Sequence, residues 1–247
     1  MKVIMFKGIS KTGKTTTVEA LIKELRKRGH SVGTVKNIHF ESFTMETEKS
    51  DTDRHKKAGG HPVTARGLSE TDIMYDRSLD IEKILDFYHE DYVVLEGDSG
   101  ANCPEIVTGK NEDDLDGLIN GNTIAISGVI SAKLDEYKGL PVIDGTKDIK
   151  VLADLVEEKT PMRMPNFSAD CCTACGTDCR GLLARILKGT GSITECILKG
   201  QQVQLFFDGE EIPMVPFVKG IVRNVSVGAV KELKGYKEGA EILIKIK

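Results

Sequence analysis

The sequence predicts an α/β fold, a mostly parallel sheet with helices on both faces, followed by a small Cys-rich α+β domain. Three observations carry this. Short apolar runs alternate with amphipathic stretches over the first 160 residues, the pattern of a sheet covered on both faces. A glycine-rich loop joins the first apolar run to the first helical stretch. Beyond residue 160 the alternation stops, prolines stand at 161 and 165, and cysteines cluster.

Val3–Phe6 is fully apolar and ends close to Gly8, which reads as a buried strand. Val18, Leu21, Ile22 and Leu25 recur at helical spacing, with Lys27 and Arg28 in the last turn and Gly29 as a stop. Ser31–Val35 reads as the second strand. Residues 36–60 are polar and lack a period, which reads as a long functional loop. Pro62–Ala65 and Ile73–Tyr75 have strand character, and Ile81, Ile84, Leu85 and Tyr88 mark a helix face. Tyr92–Leu95 is an apolar strand that ends in Glu96-Gly97. Thr123–Ile126 and Pro141–Ile143 are further short strands, and Ile149, Leu152, Leu155 and Val156 mark a closing helix. The expected division is a first domain over 1–160, a linker over 161–170, a Cys-rich module over 171–199 and a small α+β extension over 200–247. In that extension a strand at Val203–Phe207, a turn at Asp208-Gly209, a helix at Phe217–Leu233 and a strand at Glu241–Ile246 are expected.

Composition excludes several classes. Of 247 residues, 40% are hydrophobic and 29% charged, with a net charge of −4, which is ordinary for a globular chain and gives no positive field for nucleic acid. Trp is absent and aromatics are 5%, which argues against stacking on single strands. No apolar run reaches the roughly 20 residues of a membrane helix. The N-terminus lacks the apolar core and cleavage site of a signal peptide. The expectation is a cytoplasmic protein with neither nucleic-acid nor membrane partners.

Gly8-Ile9-Ser10-Lys11-Thr12-Gly13-Lys14-Thr15 has glycine at its first and sixth positions, then lysine, then a hydroxyl residue. The glycines permit backbone conformations that a Cβ would block. Inward-facing N–H groups at a helix N-terminus then suit phosphates. Lys14 reaches the β- and γ-phosphates, and the Thr15 hydroxyl ligates Mg2+. Gly8, Ser10, Lys11, Thr12, Gly13, Lys14, Thr15 and Thr16 are the expected nucleotide-binding residues. The competing reading is a chance Gly/Lys-rich turn, but the match is complete and lies between a strand and an amphipathic helix. The fold expectation is therefore P-loop NTPase-like. Glu96, at the C-terminal end of an apolar strand, faces the ligand crevice and is the expected second Mg2+ partner; its alternative is a turn carboxylate. Asp91 opens that strand at the wrong end. No Asn-Lys-x-Asp is present, so local chemistry does not choose the base.

Val35-Lys36-Asn37-Ile38-His39-Phe40 and Asp51-Thr52-Asp53-Arg54-His55-Lys56-Lys57-Ala58-Gly59-Gly60, with the P-loop and Leu95-Glu96-Gly97, resemble the MobB family, molybdopterin-guanine dinucleotide biosynthesis protein B. The resemblance covers residues 1–158. Asn37 departs from the first His of the family's Lys-His-x-His turn, while Lys36 and His39 match; Asp51, Arg54, His55, Ala58 and Gly59 match its second stretch. Asp98-Ser99 stands where the family has Phe-Lys, and Pro104-Glu105-Ile106 where it has Pro-Lys-Ile, which removes two basic residues from the crevice. The resemblance implies a homodimeric GTP-binding protein with weak hydrolysis. It would assist a nucleotidyltransferase that joins GMP to molybdopterin, and the partner is that enzyme or a molybdoenzyme. Lys14, Glu96 and Asp51 are then the catalytic candidates, and Lys36, His39, Arg54 and His55 the anion contacts. On local chemistry Asp51, Arg54 and His55 read equally well as an exposed helix start with Asp51 as N-cap.

Cys172, Cys175, Cys179 and Cys196 offer either a zinc tetrahedron or three close thiolates and a remote one around a cubane, and the spacing fits the cubane better. Cys172-x-x-Cys175-Gly176, Cys179, the helix Leu182–Leu187, Ile186-Leu187-Lys188-Gly189 and Cys196 resemble a [4Fe-4S] module, with one residue fewer before Cys179. Zinc is the alternative. Cys171 reads as a spare thiol and Cys103 as a small buried or loop residue. A reading of another class, an ATP-driven metallocluster carrier with a transferable cluster on Cys172–Cys196, competes. A small-molecule kinase is a third, for which the sequence names no acceptor base.

Overall fold

The structure is a computed structural model. It describes the chain except residues 41, 42, 46, 168, 170, 171, 174, 197–202, 208, 209, 213, 238–241 and 244–247. Contacts divide it into two units, Met1–Arg163 and Met164–Lys247.

The first unit opens with β1 (Lys2–Gly8), α1 (Lys14–Lys27) and β2 (Val32–Lys36). Then come α2 (Asp51–Lys57), β3 (Val63–Arg66), β4 (Thr71–Met74) and α3 (Ile81–Leu85). β5 (Tyr92–Glu96), β6 (Glu105–Thr108), α4 (Asp113–Asp116) and β7 (Thr123–Ser127) follow, and β8 (Glu136–Tyr137), β9 (Leu140–Pro141) and α5 (Ile149–Lys159) close the unit. The central sheet runs β2-β5-β1-β6-β7, parallel throughout. A parallel bridge from Ile126 to Val142 carries the chain after β9 onto the β7 edge.

Every residue of β5 and β7 is buried, as strands covered on both faces require. On one face Val3 and Met5 of β1 pack with Val93 and Leu95 of β5 and with Leu85 of α3. Ile4 and Phe6 alternate to the other face and are fully buried, as are Leu21 and Leu25 of α1 and Leu152 and Val156 of α5. α1 and α5 pack against each other. Arg28, just past α1, reaches Asp154 and Glu157 of α5 at 2.6 Å each.

Four findings depart from the sequence reading. β6, unpredicted, lies beside β1 at the centre of the sheet. It is four residues long and begins with a charge, so it carries no strand signature. Among the described residues β3 and β4 pair only with each other, as an antiparallel hairpin outside the main sheet. The polar stretch 36–60 contains α2, whose N-cap is Ser50 rather than Asp51: the Ser50 hydroxyl accepts the Asp53 N–H at 3.0 Å. Residues 161–163, read as the start of a linker, are tied down. Met162 bridges Lys2, the Arg163 N–H donates to the Met1 carbonyl at 2.9 Å, and the Arg163 guanidinium binds Glu82 and Asp86 at 2.7 Å each.

The second unit contains α6 (Cys179–Leu187), the strand pair β10 (Phe206–Phe207) and β11 (Glu210–Glu211), and α7 (Pro216–Val230). The Asp178 carboxylate caps α6 by accepting the Gly181 N–H at 2.6 Å. Among the described residues Met164, Leu182, Leu183 and Cys196 form a buried cluster, with Cys175, Ile186, Leu187 and Ile193 against it. The strand expected at Val203–Phe207 is confined to its last two residues. The turn at Asp208-Gly209 and most of Glu241–Ile246 lie outside the described residues.

Candidate functional site

Parallel pairing brings the C-terminal ends of β1, β2 and β5 to one edge, with Lys36 opposite Glu96 and Phe6 opposite Glu96 on the other side. The loop from Gly8 to Gly13 covers that edge. A Cβ on Gly8 would stand 2.2 Å from the Thr108 hydroxyl, so only glycine fits there. Gly13 takes φ 91, the left-handed region that glycine enters without strain. Lys11 also takes a left-handed φ, 63, and is exposed. The Thr12 hydroxyl ties the loop down, donating to the Ile9 carbonyl at 3.0 Å and sharing a hydrogen bond with Thr108 at 2.7 Å.

α1 carries no acidic residue in its first turn, so its positive end is left for an anion. The Lys14 ammonium lies over the loop and donates to the Gly8 carbonyl at 2.7 Å. The Thr15 hydroxyl donates to Glu96 Oε1 at 2.6 Å, a contact across 81 residues of sequence. Lys36 pairs with the same oxygen at 3.2 Å. Glu96 is buried. A hydroxyl and a buried carboxylate in direct contact under a phosphate loop are a hard-oxygen donor set that fits Mg2+. Ser10, within the loop, and Thr16, in the first turn of α1, are exposed.

Of the family-derived candidates Lys36 stands at this edge, on the Glu96 carboxylate. Asp51 and Arg54 pair with each other at 3.2 Å, both exposed, and neither bonds to the phosphate loop or to Glu96 among the described residues. His39 and His55 are exposed. Asp91 is structural: its carboxylate accepts the Ser31 N–H and hydroxyl, each at 2.8 Å, which hold the carboxyl below the usual range.

One cluster escaped the sequence reading. Lys7, buried, lies 3.0 Å from the fully buried Glu105 and 3.3 Å from Asp98. Asn120 donates to the other Glu105 oxygen at 2.7 Å. Glu105, which stands where the family has lysine, and Asp98, the neighbour of the Ser99 that replaces the other one, are thus the counter-charges of Lys7. The signal was a lysine directly after the apolar run of β1.

In the second unit Cys172, Cys175, Cys179 and Cys196 are all free thiols. Cys179 opens α6, and its Sγ accepts the Phe167 N–H at 3.4 Å. Burial pushes its thiol up, and the neighbouring Cys196, Cys172 and Cys175 add to that. The Cys175 thiol donates to the Thr177 carbonyl at 3.3 Å. Among the described residues no group of three or more His, Cys, Asp or Glu side chains stands close enough to hold a metal ion. Cys171 lies outside the described residues, and Cys103 is buried in the β1–β5 core. Among the described residues no helix is long and apolar enough to cross a membrane.

A glycine loop between a central parallel strand and a helix, with lysine and threonine at its end and a carboxylate on the neighbouring strand, defines a P-loop NTPase-like α/β protein. Within that class the chain belongs to the MobB family, whose model, described as molybdopterin guanine dinucleotide synthesis protein B, matches residues 3–131, which is 129 of the 247. A relative from Methanocaldococcus jannaschii is 26% identical over 254 aligned positions and covers 100% of this chain and 97% of its own length. One from Bacillus subtilis is 28% identical over 153, covering 60% of this chain and 88% of its own. Both are named as proposed molybdopterin-guanine dinucleotide biosynthesis adapter proteins, and neither is named as a metallocluster carrier or a kinase. The crystal structure of Bacillus subtilis MobB superposes with a TM-score of 0.54 at 25% identity, over 65% of this chain and 99% of that one.

Proposed function

We propose that the chain is a Mg2+–GTP-binding adapter in molybdenum or tungsten cofactor biosynthesis that assists the attachment of GMP to molybdopterin. The observation that carries this is the Thr15–Glu96 contact beneath the phosphate loop, in a chain of the MobB family. In this reading the N–H groups from Gly8 to Thr16 hold the phosphates and Lys14 leaves the Gly8 carbonyl for the β- and γ-oxygens. Thr15 and Glu96 hold Mg2+, which when bound neutralises charge on those oxygens. Lys36, His39, Arg54 and His55 are the candidate anion contacts and Asp51 a candidate catalytic carboxylate. Hydrolysis is weak, the protein is a homodimer, and the partner is the nucleotidyltransferase or a molybdoenzyme.

Calorimetry tests the nucleotide reading. GTP should bind with Mg2+, and Lys14→Ala should lose it; binding of ATP but not GTP would sink the assignment. Affinity capture from the source cell should retain a nucleotidyltransferase or a molybdoenzyme. The finer proposal for the second unit is a [4Fe-4S] cluster on Cys172, Cys175, Cys179 and Cys196, motivated by four cysteines outside any disulfide in one small unit at a spacing one residue short of such a module. Iron and sulfide analysis after anaerobic purification decides it, and stoichiometric zinc would replace it.

A further inference from the structure

Glu96 joins three elements. From the C-terminal end of β5 its Oε1 accepts the Thr15 hydroxyl of α1 and pairs with the Lys36 ammonium of β2. The two partners differ in freedom. Thr15 is fixed in the first turn of a helix. The Lys36 backbone is equally fixed, by its register with Glu96 and by the Asn37 N–H, which donates to the Glu96 carbonyl at 2.8 Å; the Asn37 side-chain amide donates to the Asp98 carbonyl. The Lys36 side chain, however, is 58% exposed on a four-carbon stem. Its ammonium can move while the strand stays.

We infer that Lys36 and a divalent cation are alternative partners of Glu96, and that the ammonium displaced from Glu96 goes to the terminal phosphate of the bound nucleotide. This rests on the nucleotide reading above. A buried carboxylate that orders a dication beside Thr15 cannot keep an ammonium on the same oxygen, because like charges so close repel strongly where little water screens them. The mobile charge leaves. In the nucleotide reading the terminal phosphate, held by the loop whose Thr15 shares that carboxylate, is the anion that arrives with the cation and can receive it. With a nucleoside diphosphate nothing receives the ammonium, and it stays in competition with the cation. Lys36 therefore reads the third phosphate: it makes cation and triphosphate support each other, and gives no such coupling between cation and diphosphate.

The test compares the full-length wild type with Lys36→Met and Lys36→Arg, using GDP, a non-hydrolysable GTP analogue and Mn2+. Lys36→Met should bind the analogue about tenfold more weakly while GDP affinity stays within about twofold, the scale of one charge-assisted hydrogen bond. Its Mn2+ affinity in the GDP complex should rise, since the competitor is gone. Lys36→Arg should keep the preference for the analogue. A merely structural role would weaken both nucleotides together, and that result, an unchanged analogue-to-GDP ratio, or a fall in Mn2+ affinity would overturn the inference. If the wild type binds neither nucleotide, the nucleotide reading falls with it. If the wild type binds and Lys14→Ala abolishes binding while the ratio survives Lys36→Met, only the inference falls.

Discussion

The two units bury their side chains very differently. The first closes five parallel strands between helices, with Ile4, Met5, Phe6, Val93 and Val94 fully out of water, and it meets its buried charge Lys7 with Glu105 and Asp98. Among the described residues the second gathers a buried cluster of Met164, Leu182, Leu183 and Cys196, and α7 leaves Phe217 76% and Val225 66% exposed. One unit is held by apolar area. The other shows less buried apolar surface among its described residues and holds Cys172, Cys175, Cys179 and Cys196 outside any disulfide, the circumstance in which small folds rely on a covalent or metal staple. The match to the MobB model lies within the first unit, whereas the archaeal relative runs the length of both. A phosphate site that depends on sub-ångström placement is thus built on the unit with the rigid core.

The largest effects should come from that core. Phe6→Ala should cost about 3–5 kcal/mol in urea unfolding monitored on the first unit. A loss under 1 kcal/mol would show that the core relaxes and would blur the contrast. Lys7→Met should cost about 3–5 kcal/mol, because it strands Glu105 in the interior, and Lys7→Met with Glu105→Met should recover most of it. Equal instability of the single and double variants would mean that the strands, not the charges, set the cost. In the second unit Leu183→Ala should cost about 2–3 kcal/mol. Treatment of the anaerobic protein with an iron chelator should lower the melting temperature of that unit alone. Unchanged melting would show that its core suffices without a staple. Ser50→Ala should cost about 1 kcal/mol, the worth of an N-cap. Asp51→Ala should cost less, and the reverse order would restore Asp51 as the cap.

The smallest effect is a pH dependence. The Asp91 carboxyl is held below its unfolded value by the N–H and hydroxyl of Ser31. Its contribution is therefore complete above the unfolded pKa of about 3.9 and fades as pH falls through the depressed folded value. Asp91→Asn should flatten the acid limb of the stability curve below about pH 4 and lower neutral stability by the small contribution that the ionised carboxylate makes there. An identical acid limb would remove Asp91 as a pin.

Much of the first unit was legible because its signals are local. Val3–Phe6, the glycine loop and the Val18–Leu25 face lie in one continuous stretch, so motif and period alone define strand, loop and helix. Glu96 was legible because it ends an apolar run. β6 was not, since Glu105 hides its strand pattern until Lys7 on another strand neutralises it. Ser50 was passed over for Asp51 because adjacent residues of equal capping propensity are separated only by which one leaves helical geometry. In the second unit the cysteine spacing was plain, but distances between thiols depend on how a sparse core packs.

The amino-acid order by itself determined the phosphate loop and the identity of the groups that face it, because backbone freedom at Gly8 and Gly13 and the chemistry of Lys14 and Thr15 are properties of single residues. Only the tertiary structure decided which strands flank β1, that Lys36 and Thr15 share one oxygen of Glu96, and that Lys7 takes its counter-charges from Asp98 and Glu105. Those pairings span 60, 81, 91 and 98 residues of sequence. They form only when parallel strands bring their ends together, and no local propensity encodes that step.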